Sequence, residues 1–153
     1  MMVNSTLIYL EREGQYLMLH RTKKKNDMNH DKWLGIGGKF EEGESPEDCV
    51  IRETLEETGL QVRSLRFRGL VTFVLNDDVT EYMHLFTSDD FDGEVKDCDE
   101  GELAWVKKEE VPRLTVWEGD KLFLKELTED RGFFSLKLVY RDDVLKDSRM
   151  ILY

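Results

Sequence analysis

Alternating hydrophobic and polar residues predict β-strands along most of this chain. The runs 3–12 and 15–22 are separated by Glu13-Gly14, so they predict a hairpin with a tight turn. Further strand-like runs are found at 61–75, 79–88, 103–107, 133–141 and 144–152. In the closing hairpin, four apolar side chains are predicted to share one face: Phe134, Leu136, Leu138 and Tyr140. This pattern by itself does not define a fold.

Two segments have helical character instead. The first begins at Ser45-Pro46, because serine can cap free backbone N–H groups and proline suits the first helical position. Gly59 is a natural C-terminal stop after about three to four turns. The second helix is predicted at 117–129, after a single helical turn at 109–111. Only the first helix has both of its ends marked by the sequence.

The first predicted helix lies within an unusually acidic stretch, GKFEEGESPEDCVIRETLEETGL. At about 100° per residue, Glu53, Glu56 and Glu57 share one narrow face of the helix. Ile51 and Leu55 are predicted on the opposite face, toward a core. Like charges at these spacings repel each other by a few tenths of a kcal/mol. A bound hard cation such as Mg²⁺ would relieve that repulsion, because it takes carboxylate oxygens as ligands.

The same stretch resembles the Nudix box, Gly-x5-Glu-x7-Arg-Glu-U-x-Glu-Glu-x-Gly-U, in which U is a bulky aliphatic residue. The fixed positions are filled by Gly38, Glu44, Arg52, Glu53, Glu56, Glu57, Gly59 and Leu60. One position departs, since the first U is Thr54. Threonine is nearly isosteric with valine, so the change affects local packing and no catalytic group. The resemblance implies an α/β Nudix fold, an α/β/α sandwich with a central mixed β-sheet, and one domain over 1–153.

The resemblance also implies the chemistry of a metal-dependent pyrophosphohydrolase. It assigns Mg²⁺ or Mn²⁺ to Glu56, Glu57, Glu100 and the main-chain carbonyl of Gly37. Glu44 would support the metal site or the helix. Glu53 is the expected general base, oriented by Arg52, and Lys39 is placed to meet a phosphate oxygen.

Outside the box, the chain resembles the MutT-type hydrolases of oxidised purine nucleoside triphosphates. Three segments carry this resemblance: WLGIGGK at 33–39, Asp99-Glu100 before a strand with Trp105, and WEGD at 117–120. The last segment implies that Trp117 stacks on the purine and that Asp120 contacts its edge. Phe73 is a possible pocket wall, although core packing is the simpler interpretation.

Two departures leave the base specificity open. Leu34 stands where that subgroup has a base-binding asparagine, and Gly119 replaces one acid of a pair. The alternatives are a Nudix hydrolase of ADP-ribose or a dinucleoside polyphosphate, a non-catalytic Nudix-fold ligand module, and a prenyl diphosphate isomerase. The complete set of box glutamates disfavours the non-catalytic module.

The net charge of −11 bears on the partners. It argues against a nucleic-acid surface, which needs a basic stripe, and implies that an anionic substrate arrives with cations. The resemblance implies a small-molecule nucleotide as the partner; no nucleic acid or membrane is expected, and monomer or homodimer is left open. No run reaches membrane-spanning length and the N-terminus is a poor signal peptide. Cys49 and Cys98 lack metal spacing, which favours reduced thiols in a cytoplasm.

The basic loop RTKKKNDMNHD, at 21–31, has two interpretations. A solvated turn is favoured, with an exposed His30. The alternative is a rim whose lysines meet phosphates: Lys23, Lys24 and Lys25. His84 is expected to be a packed or hydrogen-bonded sheet residue, and Cys49 a small filler.

Overall fold

The computed structural model describes residues 1–23 and 26–153. Over these ranges the chain forms eleven strands, two α-helices and one 3₁₀ helix. In chain order they are β1 (Met2–Arg12), β2 (Gln15–Arg21), β3 (Trp33–Leu34), β4 (Ile36–Lys39), α1 (Pro46–Thr58), β5 (Gln61–Val62), β6 (Arg66–Leu75), β7 (Val79–Ser88), β8 (Phe91–Asp92), β9 (Gly101–Lys107), the 3₁₀ helix (Val111–Arg113), α2 (Asp120–Glu129), β10 (Phe134–Arg141) and β11 (Val144–Leu152). Neither α-helix in these ranges is long and apolar enough to cross a membrane.

Strand β1 is the junction of the sheet. Within the described parts of the chain, nine strands form one mixed sheet in the order β11-β10-β6-β7-β1-β2-β3, with β4 attached to β1 and β9 to β2. The β1–β7 and β6–β10 pairs are parallel. Residues 5–8 of β1 pair with β4, whereas Glu11 and Arg12 pair with β2. Both predicted hairpins are confirmed, and β1 holds the glycine-rich strand β4 beside the middle of the sheet.

Two hydrophobic clusters cover the two faces of this sheet. Along β1, Leu7 and Tyr9 contact one cluster, while Ile8 and Leu10 belong to the other. Helix α2 packs into the first cluster and α1 packs into the second through Val50. Alternate side chains of a strand point to opposite faces, so each helix covers its own face. The predicted sandwich of helices around a central mixed sheet is confirmed.

The ends of α1 follow the predicted signals. The Ser45 hydroxyl accepts a bond from the Asp48 N–H at 3.0 Å, and the Asp48 carboxylate accepts one from the Ser45 N–H at 3.1 Å. Pro46 is the first helical residue. Gly59 ends the helix with φ of 80°, a left-handed conformation that glycine adopts without strain. The helix that carries the acidic residues therefore starts and stops where predicted.

The orientation of α1 differs from the prediction. Leu55 is 44% exposed, so its expected place in the core is wrong, whereas Ile51 packs against the second cluster as expected. The helix buries a different set: Cys49, Val50, Thr54, Glu57 and Thr58. The Thr54 hydroxyl donates to the Val50 carbonyl at 2.6 Å, which satisfies its polar group in the core. The helix α1 is therefore rotated about its axis relative to the prediction, so that Glu57 is buried and Leu55 is exposed. Hydrophobic periodicity cannot show that a carboxylate faces inward.

Three other predicted boundaries are wrong. The run 61–75 is divided into β5 and β6, because the Arg63 N–H donates to the Asp90 carbonyl and the Ser64 carbonyl accepts from the Ser88 hydroxyl instead of from a neighbouring strand backbone. The helix predicted at 117–129 begins only at Asp120. The single helical turn lies at Val111–Arg113, two residues later than the predicted 109–111, and includes Pro112.

Candidate active site

A pocket of about 550 Å³ lies against the sheet. Its floor consists of alternate residues of β1 and β7: Val3, Ser5, Leu7, Val79, Glu81 and Met83. One part of the wall is acidic, with Glu53, Glu57 and Glu100. Another part is formed by Phe73, Trp117 and Asp120. The pocket therefore brings together residues from α1 (the box helix), from the turn before β9 and from the start of α2.

The box glycines let β4 pack closely against its neighbours. The Gly37 N–H donates to the Glu57 carboxylate at 3.2 Å. A Cβ on Gly37 would overlap the carbonyl oxygen of Thr6 on β1. A Cβ on Gly38 would overlap the Glu53 carboxyl group. The carboxyl groups of Glu57 and Glu53 can therefore lie directly against the backbone of Gly37 and Gly38, because glycine has no side chain.

Arg52 organises the acidic residues around it. Its Nε and Nη2 bond both oxygens of Glu44, at 2.7 and 2.8 Å, and its Nη1 bonds Glu53 at 2.9 Å. Its Nη2 also donates to the Lys39 carbonyl at 3.2 Å. The bonds from Arg52 lower the pKa of Glu44 to about 2. Glu44 thus holds the arginine, and the arginine fixes the Glu53 carboxyl group at the pocket.

Glu57 and Glu100 share a hydrogen bond at the acidic wall. Burial raises the pKa of Glu57, and the bond to Glu100 and the charges of Glu100 and Glu53 raise it further. Burial also raises the pKa of Glu53, although Arg52 opposes that effect. Arg21 also donates to the Glu100 carboxyl group, at 3.0 Å. Closely placed acids of this kind favour either a shared proton or a cation, and an all-oxygen set suits a hard divalent ion.

The remaining acids of the box lie apart from this pair. Glu56 has a 59% exposed side chain, is 3.3 Å from Arg52 and does not line the pocket. Glu44 is likewise occupied by Arg52 and is not part of the pocket wall. Among residues 1–23 and 26–153, no three acidic, histidine or cysteine side chains meet closely enough to form an assembled metal site. The oxygens at hand for a cation are those of Glu57, Glu100 and Glu53.

Trp117 precedes α2 and is buried at the part of the pocket that it forms with Phe73, the aromatic wall. Its Nε1 donates to the Asn29 side-chain oxygen at 2.7 Å. Phe73 and Tyr140 contact it edge-on, with ring centres 5.3 and 4.9 Å away. The Lys32 ammonium lies 4.4 Å from the centre of the indole ring. These contacts hold the indole in one orientation, and Phe73 serves both the core and the pocket wall.

Asp120 is a buried acid at the same wall, 6% exposed. Burial raises its pKa from 3.8 to about 8, although the charge of Lys32 opposes the shift. The carboxyl group is therefore largely protonated at neutral pH and can donate a hydrogen bond as well as accept one. The preceding Gly119 donates its N–H to the Tyr140 hydroxyl at 2.7 Å, and a Cβ there would overlap Leu138 and Tyr140. That packing leaves no space for a second acid at position 119.

Two other predicted residues line the pocket. Lys39 lies at its exposed rim, and Leu34 occupies the wall where the resemblance expected an asparagine. His84 is a sheet residue as predicted, because its Nδ1 bonds the Ser5 carbonyl at 2.9 Å. Cys49 is fully buried, which agrees with its interpretation as a filler.

The loop at 21–31 contains pocket residues that the sequence interpretation missed. Asp27, Met28 and Asn29 belong to turns, as the favoured interpretation has it, and they also line the pocket wall. Arg21 fixes this loop through its Nε bond to Asp27 at 2.9 Å. Lys23 donates to the Cys98 carbonyl at 2.6 Å. The other two lysines of that interpretation, Lys24 and Lys25, lie outside the described residues.

Two pocket residues on the sheet, Ser5 and Glu81, were also missed. A glutamate and a serine within strand-like runs have no distinctive spacing. The only signal was the acid at 81 in an otherwise half-apolar strand. His30 is exposed, as predicted.

Comparison with known proteins decides the family. The model of the NUDIX domain matches residues 2–127. The chain belongs to the Nudix family. This Nudix protein is 30% identical over 147 residues to the oxidized purine nucleoside triphosphate hydrolase of Danio rerio, covering 95% of this chain and 92% of that protein. A shorter match, 36% identical over 63 residues, relates it to the NAD-capped RNA hydrolase NudC of Vibrio parahaemolyticus, covering 41% of this chain and 23% of that one.

A solved structure is similar over nearly the whole chain. The crystal structure of the Mutator MutT protein from Bacillus halodurans is 29% identical, has a TM-score of 0.86 and covers 97% of each chain. The protein is thus a Nudix pyrophosphohydrolase, an enzyme that cleaves phosphoanhydride bonds. Nudix hydrolases generally use divalent metal ions and act on nucleotides. The acidic wall described above has the oxygen donors for such an ion.

The two neighbouring glycines of β4 are expected to respond differently to alanine. Gly37→Ala places a methyl group against the Thr6 carbonyl, so we expect a loss of about 1–3 kcal/mol of stability. Gly38→Ala meets only the movable end of Glu53, so the fold should survive while that carboxyl group is displaced. The expected loss in kcat is roughly 10²-fold. Thermal unfolding and pyrophosphate release measure the two effects, and normal turnover in folded Gly38→Ala would contradict the placement of Glu53.

Asp120→Asn is expected to stabilise the protein in a pH-dependent way. The folded-state pKa of Asp120 is raised to about 8, so its stability contribution is lost as pH rises from about 4 through 8. Asparagine cannot ionise, so the variant should equal the parent near pH 4 and exceed it at pH 8 to 9, by on the order of a few kcal/mol. Thermal unfolding across pH measures this. The exposed Glu118→Gln is the matched control, and parallel pH profiles for all three proteins would contradict the buried assignment.

Proposed function

We propose that this Nudix hydrolase cleaves an oxidised purine nucleoside triphosphate, such as 8-oxo-dGTP, to the nucleoside monophosphate and pyrophosphate. The observation that carries the proposal is one pocket lined by the acids Glu53 and Glu57 and by Trp117 and Asp120. An acidic wall that can hold a cation is needed for the phosphates, and an indole with a polar neighbour suits a purine. The zebrafish relative named for this activity supports the same substrate class.

The catalytic work is assigned to Glu53 as general base. Its raised pKa brings the carboxyl group nearer to the working pH, which improves a general base. Arg52 fixes the orientation of that group through the 2.9 Å bond, and Glu44 holds Arg52 in turn. In this proposal Glu53 takes the proton of the water that attacks the triphosphate. Pyrophosphate leaves as the bond to the α-phosphorus breaks.

Glu57 and Glu100 are proposed to hold Mg²⁺ or Mn²⁺, with Glu56 and the Gly37 carbonyl completing the protein's share of ligands. The ion supplies neutralisation of phosphate charge. Glu57 is already fixed by the Gly37 N–H, so its carboxylate is oriented before any ion arrives. Glu56 would have to turn away from Arg52 to take part. Lys39, at the exposed rim of the pocket, is proposed to meet a phosphate oxygen.

The base is proposed to lie against Trp117 and Phe73, with Asp120 at its edge. A protonated Asp120 can donate to a purine carbonyl or ring nitrogen and accept from an N–H. The indole is fixed by the Asn29 bond, so little side-chain freedom is lost when the base stacks. Removal of oxidised purines from the nucleotide pool is the corresponding biological role.

A second candidate is hydrolysis of another nucleoside diphosphate-linked compound, such as ADP-ribose or a dinucleoside polyphosphate. Leu34 and Gly119 lack the polar groups that the MutT-type resemblance expected, so fewer contacts select the base. The shorter similarity to the NudC relative also points beyond nucleoside triphosphates. This candidate keeps the same acidic wall and changes only what occupies the rest of the pocket.

The proposal predicts the outcome of a substrate panel assayed with Mg²⁺. Formation of the nucleoside monophosphate is measured by chromatography for 8-oxo-dGTP, dGTP, ADP-ribose and a dinucleoside polyphosphate. We expect kcat/KM for 8-oxo-dGTP to exceed that for dGTP by at least about tenfold, because each added hydrogen bond contributes on the order of 1 kcal/mol. Equal values for the two triphosphates, or a preference for ADP-ribose, would favour the second candidate.

Glu53→Gln should lower kcat by about 10²- to 10⁴-fold, because the amide keeps the size of the side chain and cannot accept the proton. The thermal unfolding midpoint should change little, since Arg52 can still donate to the amide oxygen. The matched control is Glu47→Gln, an exposed acid of the same helix, which should keep full activity. Near-normal turnover of Glu53→Gln would remove Glu53 as the base.

A further inference from the structure

The pocket floor contains a carboxylate that the box chemistry does not use. Glu81 lies on β7 among apolar floor residues and lines the pocket. The Ser5 hydroxyl donates to its Oε2 at 2.6 Å, and Ser5 is itself only 4% exposed. The contact joins β7 to β1 across 76 residues of sequence. The carboxylate is thereby held in one orientation at the bottom of the pocket.

The strand register locates Glu81 between the two working parts of the pocket. Its Cα partner on β6 is Phe73, whose ring contacts Trp117. Its hydrogen-bond donor, Ser5, is the Cα partner of Lys39 on β4. The floor therefore runs from the aromatic wall, past Glu81, to the lysine at the rim. A nucleotide bound between these two parts of the pocket would lie near Glu81.

Glu81 has more acceptor capacity than the described residues fill. An ionised carboxylate has about four acceptor positions. Within residues 1–23 and 26–153, Ser5 is the one hydrogen-bond donor to this side chain, and no lysine or arginine forms an ion pair with it. A half-buried carboxylate on an apolar floor is costly unless further donors reach it. Glu81 lines the pocket, so a ligand bound there can supply such donors.

We propose that Glu81 accepts hydrogen bonds from the N1–H and 2-amino edge of a guanine-type base and so determines base specificity. The inference rests on the proposed function. A carboxylate repels phosphates, so its ligand group is a neutral donor on the nucleoside. Its register neighbour Phe73 belongs to the aromatic wall, which places the donor on the base. Glu81 thus supplies from the sheet the polar contact that Leu34 and Gly119 do not supply from the walls.

Asp120 in its protonated form and Glu81 would then recognise different groups of the base. Asp120 can donate to a carbonyl oxygen or an unprotonated ring nitrogen, whereas Glu81 can only accept while ionised. An adenine-type base has no N–H at N1 and no 2-amino group, so it cannot satisfy Glu81 in the same position. A site built to hydrogen-bond a group rejects analogues that lack the group more strongly than an apolar site does.

The test compares kcat/KM for 8-oxo-dGTP with that for 8-oxo-dATP in the parent and in Glu81→Met. The ratio should fall by at least about tenfold in the variant, mainly through a higher KM for 8-oxo-dGTP. Ser5→Ala should shift the ratio in the same direction and by less, because the carboxylate remains but is less well held. Asp147→Met, an acid replaced on the exposed strand β11, is the matched control and should leave the ratio unchanged.

The other outcomes are equally decisive. If Glu81→Met slows both substrates equally while remaining folded by circular dichroism, Glu81 is a structural residue and the inference is wrong. If the variant changes only the ratio of 8-oxo-GTP to 8-oxo-dGTP, its partner is a ribose hydroxyl and the base assignment is wrong. A parent that does not hydrolyse 8-oxo-dGTP overturns the proposed function and this inference together. A parent that does so with a ratio insensitive to Glu81 overturns the inference alone.

Discussion

Close contact between backbone and carboxyl groups at β4 is the constraint on which the acidic wall depends. Strand β4 lies between β1 and the box helix, and neither side leaves space for a side chain at Gly37 or Gly38. The Gly37 N–H reaches Glu57, and the Glu53 carboxyl group occupies the space beside Gly38. Two glycines therefore convert an ordinary helix–sheet contact into one that orients two acids. The rotation of α1 that buries Glu57 and exposes Leu55 follows from the same contact.

The charged residues around this contact form two groups, which differ in how positive and negative charges are paired. Arg52 is surrounded by Glu44, Glu53 and Glu56, so its positive charge offsets much of their repulsion. Glu57 accepts from the Gly37 N–H, and Glu100 accepts from Arg21. Burial and the nearby acids Glu100 and Glu53 raise the pKa of Glu57, and a bound divalent ion would offset both effects. The box thus contains its own cation, Arg52, which orients the carboxyl group of Glu53. Beside it, Glu57 and Glu100 offer oxygens to a bound ion.

The sequence was most informative where local chemistry determines structure. Caps at Ser45 and Gly59 depend on groups within a few residues, so both ends of α1 could be predicted. The family pattern likewise placed Glu53 and Glu57 correctly near one another, and Trp117 and Asp120 at one wall. Contacts made across the fold could not be predicted. Glu81 meets Ser5 from 76 positions away, and no periodicity signals such a pair. The pocket-lining residues of the basic loop 21–31 could not be predicted either, because polar residues suit both a solvated turn and the rim of a binding pocket.

The parallel pairing of β1 with β7 has a consequence for folding. Folding slows as the sequence separation of native contacts grows, because a long loop must close before the contact stabilises it. The β2 hairpin can form early from neighbouring residues, whereas the other edge of β1 must wait for a strand that begins at Val79. The pocket floor is built across that late pairing. We therefore expect the pocket to form late in folding, so that a partly folded chain would have the helix α1 without a place for its substrate.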